Sequence, residues 1–78
     1  MTIEALRKYY DAQPFTPFEI HLADGRKVPV VHREFLALGA TGRTVAVTQP
    51  GDDAFDILDV RLVASLHVKS AGLMDGGD

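Results

Sequence analysis

Any chemistry in this chain must come from three histidines, two serines, a group of aspartates and a few cations, because cysteine is absent. His21, His32 and His67 form no H-x-H or H-x-x-x-H pair, so a zinc site would have to be assembled from distant positions without thiolates. No metal is expected. The segment Asp52-Asp53-Ala54-Phe55-Asp56 supplies carboxylates but lacks the alternating acids, central glycine and terminal glutamate of a calcium loop, and it reads as a solvated turn. Gly39-Ala40-Thr41-Gly42-Arg43-Thr44 has the glycines and the cation of a phosphate loop. Two residues rather than four separate those glycines, arginine stands in place of lysine, and the run links two strand-like segments, so it reads as a hairpin turn. Neither Ser65 nor Ser70 lies in a glycine-framed elbow, which leaves no activated nucleophile. The expectation is a non-enzyme without a cofactor.

Four side chains could contact an anion: His21, Lys27, Arg33 and Arg43. The hairpin register derived below puts His21, Lys27 and Arg33 on one outward face, where they could meet a phosphate backbone. The charge distribution weighs against nucleic acid. Residues 1–43 carry six Lys or Arg against five acids, whereas residues 44–78 carry two against six, for a net charge of −3. Phosphate contacts dominate nucleic-acid affinity and call for a basic excess, so RNA ranks behind a protein partner. The remaining histidine, His32, shares the parity of Val30 and is expected as a hydrogen-bonded core residue.

The elements that must hold these residues follow from hydrophobic spacing and punctuation. Thr2 is placed to cap a short amphipathic helix in which Ile3, Leu6 and Tyr10 share a face. Pro14 stops it after about twelve residues, too few to be stable undocked. Pro14-Phe15-Thr16-Pro17 is an extended connector with Phe15 as an anchor. From Phe18 the period becomes two: Phe18, Ile20 and Leu22 alternate with Glu19, His21 and Ala23. A two-residue Asp24-Gly25 loop would put apolar partners on opposite faces. A three-residue loop, Ala23-Asp24-Gly25 with a left-handed Gly25, pairs Ile20 with Val28 and Phe18 with Val30 and keeps one apolar face. Pro29 then faces outward and marks an edge or a bend.

Residues 31–38 break the alternation, which predicts either a sharply bent strand or a run into a turn with Phe35 and Leu38 tucked beneath. Thr44–Thr48 is the third strand, and Phe55 and Ile57 alternate inward in a fourth, leaving Leu58 outward. An outward leucine needs a cover, either the helix or another chain, and the second makes Leu58 the candidate for self-association. Val60–Val63 suggests one helical turn, and Ser65–Lys69 is a short final strand. The fold class is therefore mainly β (α+β), an N-terminal helix followed by a strongly bent five-stranded antiparallel sheet that curls into a small barrel. One domain spans 1–69, and 70–78 is expected to be a flexible tail.

With 78 residues and 46% apolar content, one small core is the limit, and it has no disulfide staple. The absence of cysteine suits a reducing cytoplasm, and no apolar run approaches the ~18 residues of a membrane span, so no membrane partner is expected.

Pro14-Phe15-Thr16-Pro17-Phe18-Glu19-Ile20-His21-Leu22-Ala23-Asp24-Gly25-Arg26, with Val31-His32-Arg33-Glu34-Phe35 and Ile57-Leu58-Asp59-Val60-Arg61-Leu62-Val63, resembles a family of small uncharacterised bacterial proteins. Its members share a Pro-Phe, Asp-Gly-Arg, His-x-Glu pattern, and the resemblance spans residues from about 5 to 68. It implies no activity. At the level of fold the order is similar to Sm-like (Hfq-type) barrels: a helix, a hairpin opened by Leu22-Ala23-Asp24-Gly25, a bent second strand, and a turn before the last strand. Gly25 matches the glycine of the first hairpin there, and Phe35 lies near the residue that opens the uridine-binding loop. Leu36 stands where an acidic residue follows that aromatic, and Ile57-Leu58-Asp59 does not reproduce the Tyr-Lys-His run. The resemblance thus implies the barrel, whereas these two departures bear on its RNA site, and RNA binding on the basic hairpin face stays the alternative. The expected function is a non-enzymatic interaction module that acts through protein contacts and forms a homo-oligomer.

Overall fold

In the computed structural model, which describes residues 1–68, Thr2 is extended and its hydroxyl accepts a hydrogen bond from the Ala5 amide at 3.3 Å. That satisfies one of the orphan donors at the start of α1 (Ile3–Tyr10). The helix is shorter than the spacing predicts. It ends at Asp11, whose amide donates to the Arg7 carbonyl, and the chain then turns away because the Arg33 guanidinium takes the carbonyls of Tyr10 and Ala12. Leu6 is fully buried, and Ile3, Tyr9 and Tyr10 pack beside it at the margin of the core.

β1 (Phe18–Leu22) buries every second residue and pairs antiparallel with β2 (Lys27–Val30) in the expected register, Phe18 opposite Val30 and Ile20 opposite Val28. The loop has three residues. The Leu22 amide donates to the Arg26 carbonyl at 2.9 Å, and Gly25 takes φ +95°, a conformation open to it because it lacks a Cβ. Asp24 accepts from the Arg26 amide at 3.0 Å and from Arg26 Nε at 2.9 Å, and the backbone bond above all lowers its pKa. Pro29 lies on an edge strand, as predicted, facing outward.

The single bent sheet is not what forms. The described residues make six strands in two three-stranded antiparallel sheets, with no closed barrel. The first has the order β2-β1-β6, with β6 (Val63–Val68) on the far side of β1. The second has the order β3-β4-β5, from β3 (Leu36–Leu38), β4 (Thr44–Thr48) and β5 (Phe55–Asp59). Of the two readings of residues 31–38 the turn forms, a 3-10 turn at Arg33–Phe35 in which the Phe35 amide donates to the His32 carbonyl. A guanidinium that reaches the end of α1 draws its own backbone out of the ladder, and Leu36 then re-enters the core as the start of β3. The same break turns His32 outward: it is exposed, not a core histidine.

A second 3-10 turn, Val60–Leu62, sits where one helical turn is expected, before β6. It joins both sheets, since the Val60 amide donates to the Arg43 carbonyl and the Ala23 amide donates to the Leu62 carbonyl, each at 2.8 Å. β6 carries a bulge, for His21 is opposite Ser65 whereas Leu22 is opposite Val63, leaving Ala64 unmatched. Phe18, Ile20, Leu22, Val28, Val30 and Val63 from one sheet meet Leu36, Val45, Val47 and Leu58 from the other, with Leu6 and Val60 completing the core. No polar residue is buried among the described residues. α1 begins against the turn between β3 and β4, where a Cβ on Gly42 would stand 3.0 Å from Ile3 Cγ2. Lys69 and the expected tail, 70–78, lie outside the described residues.

Candidate functional site

The alternation of β1 that buries Phe18, Ile20 and Leu22 leaves Glu19 and His21 on the outer face of the first sheet. Lys27 stands opposite His21 on β2, and His67 stands opposite Glu19 on β6. The His21 and His67 rings stack with centroids 5.8 Å apart and planes at 23°, and His21 Nε2 lies 3.1 Å from Glu19 Oε1. Two of the four expected anion contacts, His21 and Lys27, therefore share a face. His67 joins them through the β1–β6 pairing, which local alternation does not reveal. Among the described residues no three histidine, aspartate or glutamate side chains are placed to hold a metal ion.

Arg33 does not belong to this face. Its Nε donates to the Tyr10 carbonyl at 2.7 Å, its Nη2 donates to the Ala12 carbonyl, and its guanidinium lies 5.5 Å from the centre of the Phe15 ring. It fastens the end of α1 to the junction of the two sheets. Arg43 belongs to the second sheet, immediately before β4. The basic face read from alternation is thus divided among three places.

The second sheet presents a different surface. Val45 is opposite Leu58, and both are buried, so β5 turns Leu58 inward and Phe55 and Ile57 outward. This reverses the expected orientation. Leu58 is 3% exposed and belongs to the core, whereas Phe55 and Ile57 are 66% and 64% exposed. Ala37, Ala46 and Ile57 are cross-strand neighbours in one row, and Phe55 lies opposite Thr48. The outer face of this three-stranded sheet thus carries an apolar row and Phe55 between Thr44, Thr48 and Asp59, with its largest apolar side chains on the edge strand β5.

At the end of β5, Arg43, Thr44, Ile57, Leu58, Asp59 and Arg61 line an open groove of about 320 Å³. Asp59 caps the following 3-10 turn, accepting from the Arg61 amide at 2.8 Å and from Arg61 Nη2 at 2.8 Å. The Arg61 guanidinium chiefly, then its amide, with Arg43 a smaller influence, hold the Asp59 carboxyl down at about 2. Its oxygens are committed, so it is a fixed charge and not a base.

Compared with protein-family models, with curated proteins and with solved structures, the chain matches none. The reading of this surface therefore rests on its own chemistry. No helix among the described residues is long and apolar enough to cross a membrane.

Proposed function

We propose that this chain is a small cytoplasmic, non-enzymatic interaction module of Sm-like strand order that works through protein–protein contacts and self-associates. The observation that carries it is the pair Phe55 and Ile57, exposed side by side on an edge strand with Ala46 and Ala37 behind Ile57. A large apolar pair on a strand with open hydrogen-bonding groups is a docking feature, because both the side chains and the backbone gain from a partner. What favours Sm-like order is the sequence of elements: helix, hairpin, a second strand broken by a turn, and a last strand that returns to pair with the first. What favours a binding role over catalysis is a groove whose one carboxylate is locked to Arg61. Sedimentation equilibrium at concentrations up to about 1 mM tests the reading; association weakened by Ile57→Lys supports it, and a monomer throughout overturns it.

A second reading takes the stacked His21–His67 pair beside Lys27 as a platform for single-stranded RNA, since imidazoles stack on bases and an ammonium meets phosphate. Salt-dependent RNA binding that is lost in Lys27→Ala and His67→Ala supports it. Affinity weaker than roughly 10⁻⁴ M at physiological salt reduces it to non-specific attraction.

A further inference from the structure

Four strands border the two sheets, and they are not equally able to accept another strand. β2 carries Pro29, which has no amide to donate, and the Pro29 carbonyl already receives Gln49 Nε2 at 2.9 Å. β3 is three residues long. β6 is bent by the bulge at Ala64, and bulges twist an edge away from a flat template. β5 is regular over five residues, paired in unbroken register with β4 on one side and, among the described residues, with no strand on the other.

We infer that the partner of β5 is β5 of a second copy, paired antiparallel about a two-fold axis that passes beside Ile57. This rests on the self-association proposed above and specifies its geometry. Three observations choose it. The strand runs from Phe55 to Asp59, so Ile57 is its midpoint, and only a register centred there gives every residue of the strand an opposite number. Centring one residue earlier would place Asp56 against Asp56 of the second copy, a like-charge pair that is unfavourable across strands. Centred on Ile57, the apolar row Ala37, Ala46, Ile57 continues into its symmetry mate, and each Phe55 lies over Asp59 of the second copy, already neutralised by its own Arg61.

Charge selects the direction. The segment before β5 carries Asp52 and Asp53, and Asp56 lies early in the strand, whereas at its far end Arg43 adds a positive charge to the mutually neutralised Asp59–Arg61 pair. Antiparallel pairing brings the acidic end of one copy to the basic end of the other, and parallel pairing would set acid beside acid. The contact is isologous, so it closes at two copies and does not propagate. A five-residue ladder covers less than the ~1,200 Å² typical of stable complexes, which makes the expected dissociation constant on the order of 10⁻⁴ M.

The absence of native cysteine makes a disulfide test clean. Directly opposed residues have Cα atoms about 4.5–5.5 Å apart, within disulfide range, so Ile57→Cys should cross-link to itself under mild oxidation. Phe55→Cys is the collision control, being as exposed as Ile57 (66% against 64%). In this register its two copies lie about 13 Å apart along the strands. The expected result is a dimer band from Ile57→Cys forming at least about tenfold faster than from Phe55→Cys, with both variants keeping wild-type circular dichroism. Equal rates overturn the inference, as does cross-linking of Ile57→Cys only when mixed with Ser65→Cys, which would mark head-to-tail pairing of β5 with β6. If the wild-type chain self-associates while Ile57→Cys is no faster than Phe55→Cys, only this geometry falls. If it stays monomeric at about 1 mM, the self-association reading falls with it.

Discussion

Replacing Arg33 with alanine removes two hydrogen bonds from a guanidinium to backbone carbonyls, at Tyr10 and Ala12, and a cation set against the Phe15 ring. The site is half-buried, so the freed carbonyls can recruit water, and each charge-assisted bond is worth about 1 kcal/mol net. The ring contact adds about 0.5 kcal/mol, for a total near 2.5 kcal/mol. A domain of this size has about 4–12 kcal/mol in all, so the loss is severe without abolishing folding. In urea the midpoint should fall by about 2.5 M at an m-value near 1 kcal/mol/M, and the Tm by about 10 °C or more. Arg33→Lys separates charge from shape. A lysine keeps a cation near the end of α1, worth about 0.3–1 kcal/mol, but one ammonium cannot span both carbonyls or lie flat on Phe15, so it should fall between wild type and alanine. Urea titration followed by circular dichroism measures all three proteins. An alanine variant within about 0.5 kcal/mol of wild type, or a lysine variant equal to wild type, would refute the clamp.

Leu58→Ala should cost about 2–5 kcal/mol because it empties a core position, whereas Ile57→Ala, on the same strand but exposed, should cost less than about 0.5 kcal/mol; paired urea curves decide it. Gly25→Ala should cost about 1 kcal/mol through backbone strain at φ +95° alone, as nothing stands within 4 Å of the added methyl; thermal melts should show it without any loss of sheet signal. Asp59 titrates at about 2 when folded, below its ordinary 3.8, so its pairing with Arg61 stabilises the fold above about pH 4, and that contribution is lost as pH falls toward 2. The stability gap between wild type and Asp59→Asn, followed by denaturation across that range, should accordingly close on acidification.

Much of the first hairpin is legible from local pattern. The alternation of Phe18, Ile20 and Leu22, a glycine that must accept positive φ, and the demand for one apolar face together select a single register, and that register forms. Thr2 as cap is legible for the same reason, since capping is decided within a few residues. The orientation of β5 is not. Phe55-Asp56-Ile57-Leu58-Asp59 has apolar residues on both parities, and counting them favours turning Phe55 and Ile57 inward. Pairing with β4 decides otherwise, because Val45 and Val47 already face the core and Leu58 is the residue opposite Val45. Arg33 fails for a related reason: parity predicts an outward cation, but the carbonyls that capture it lie twenty-three and twenty-one residues earlier in the chain. His67 enters the surface of the first sheet only through a ladder between the beginning and the end of the described chain.

That ladder has a consequence for the order of assembly. β3, β4 and β5 are consecutive, joined by short turns, and can zip together as a local meander at small entropic cost. β1 and β6 can pair only by closing a loop through nearly everything between Phe18 and Val68. The second sheet should therefore be the folding nucleus, with the first sheet completed late, when Val60 has bonded Arg43 and delivered β6 to β1. Until that closure β1 has a strand on one side only, so the slow step in folding is also the interval in which its second edge is open to another chain.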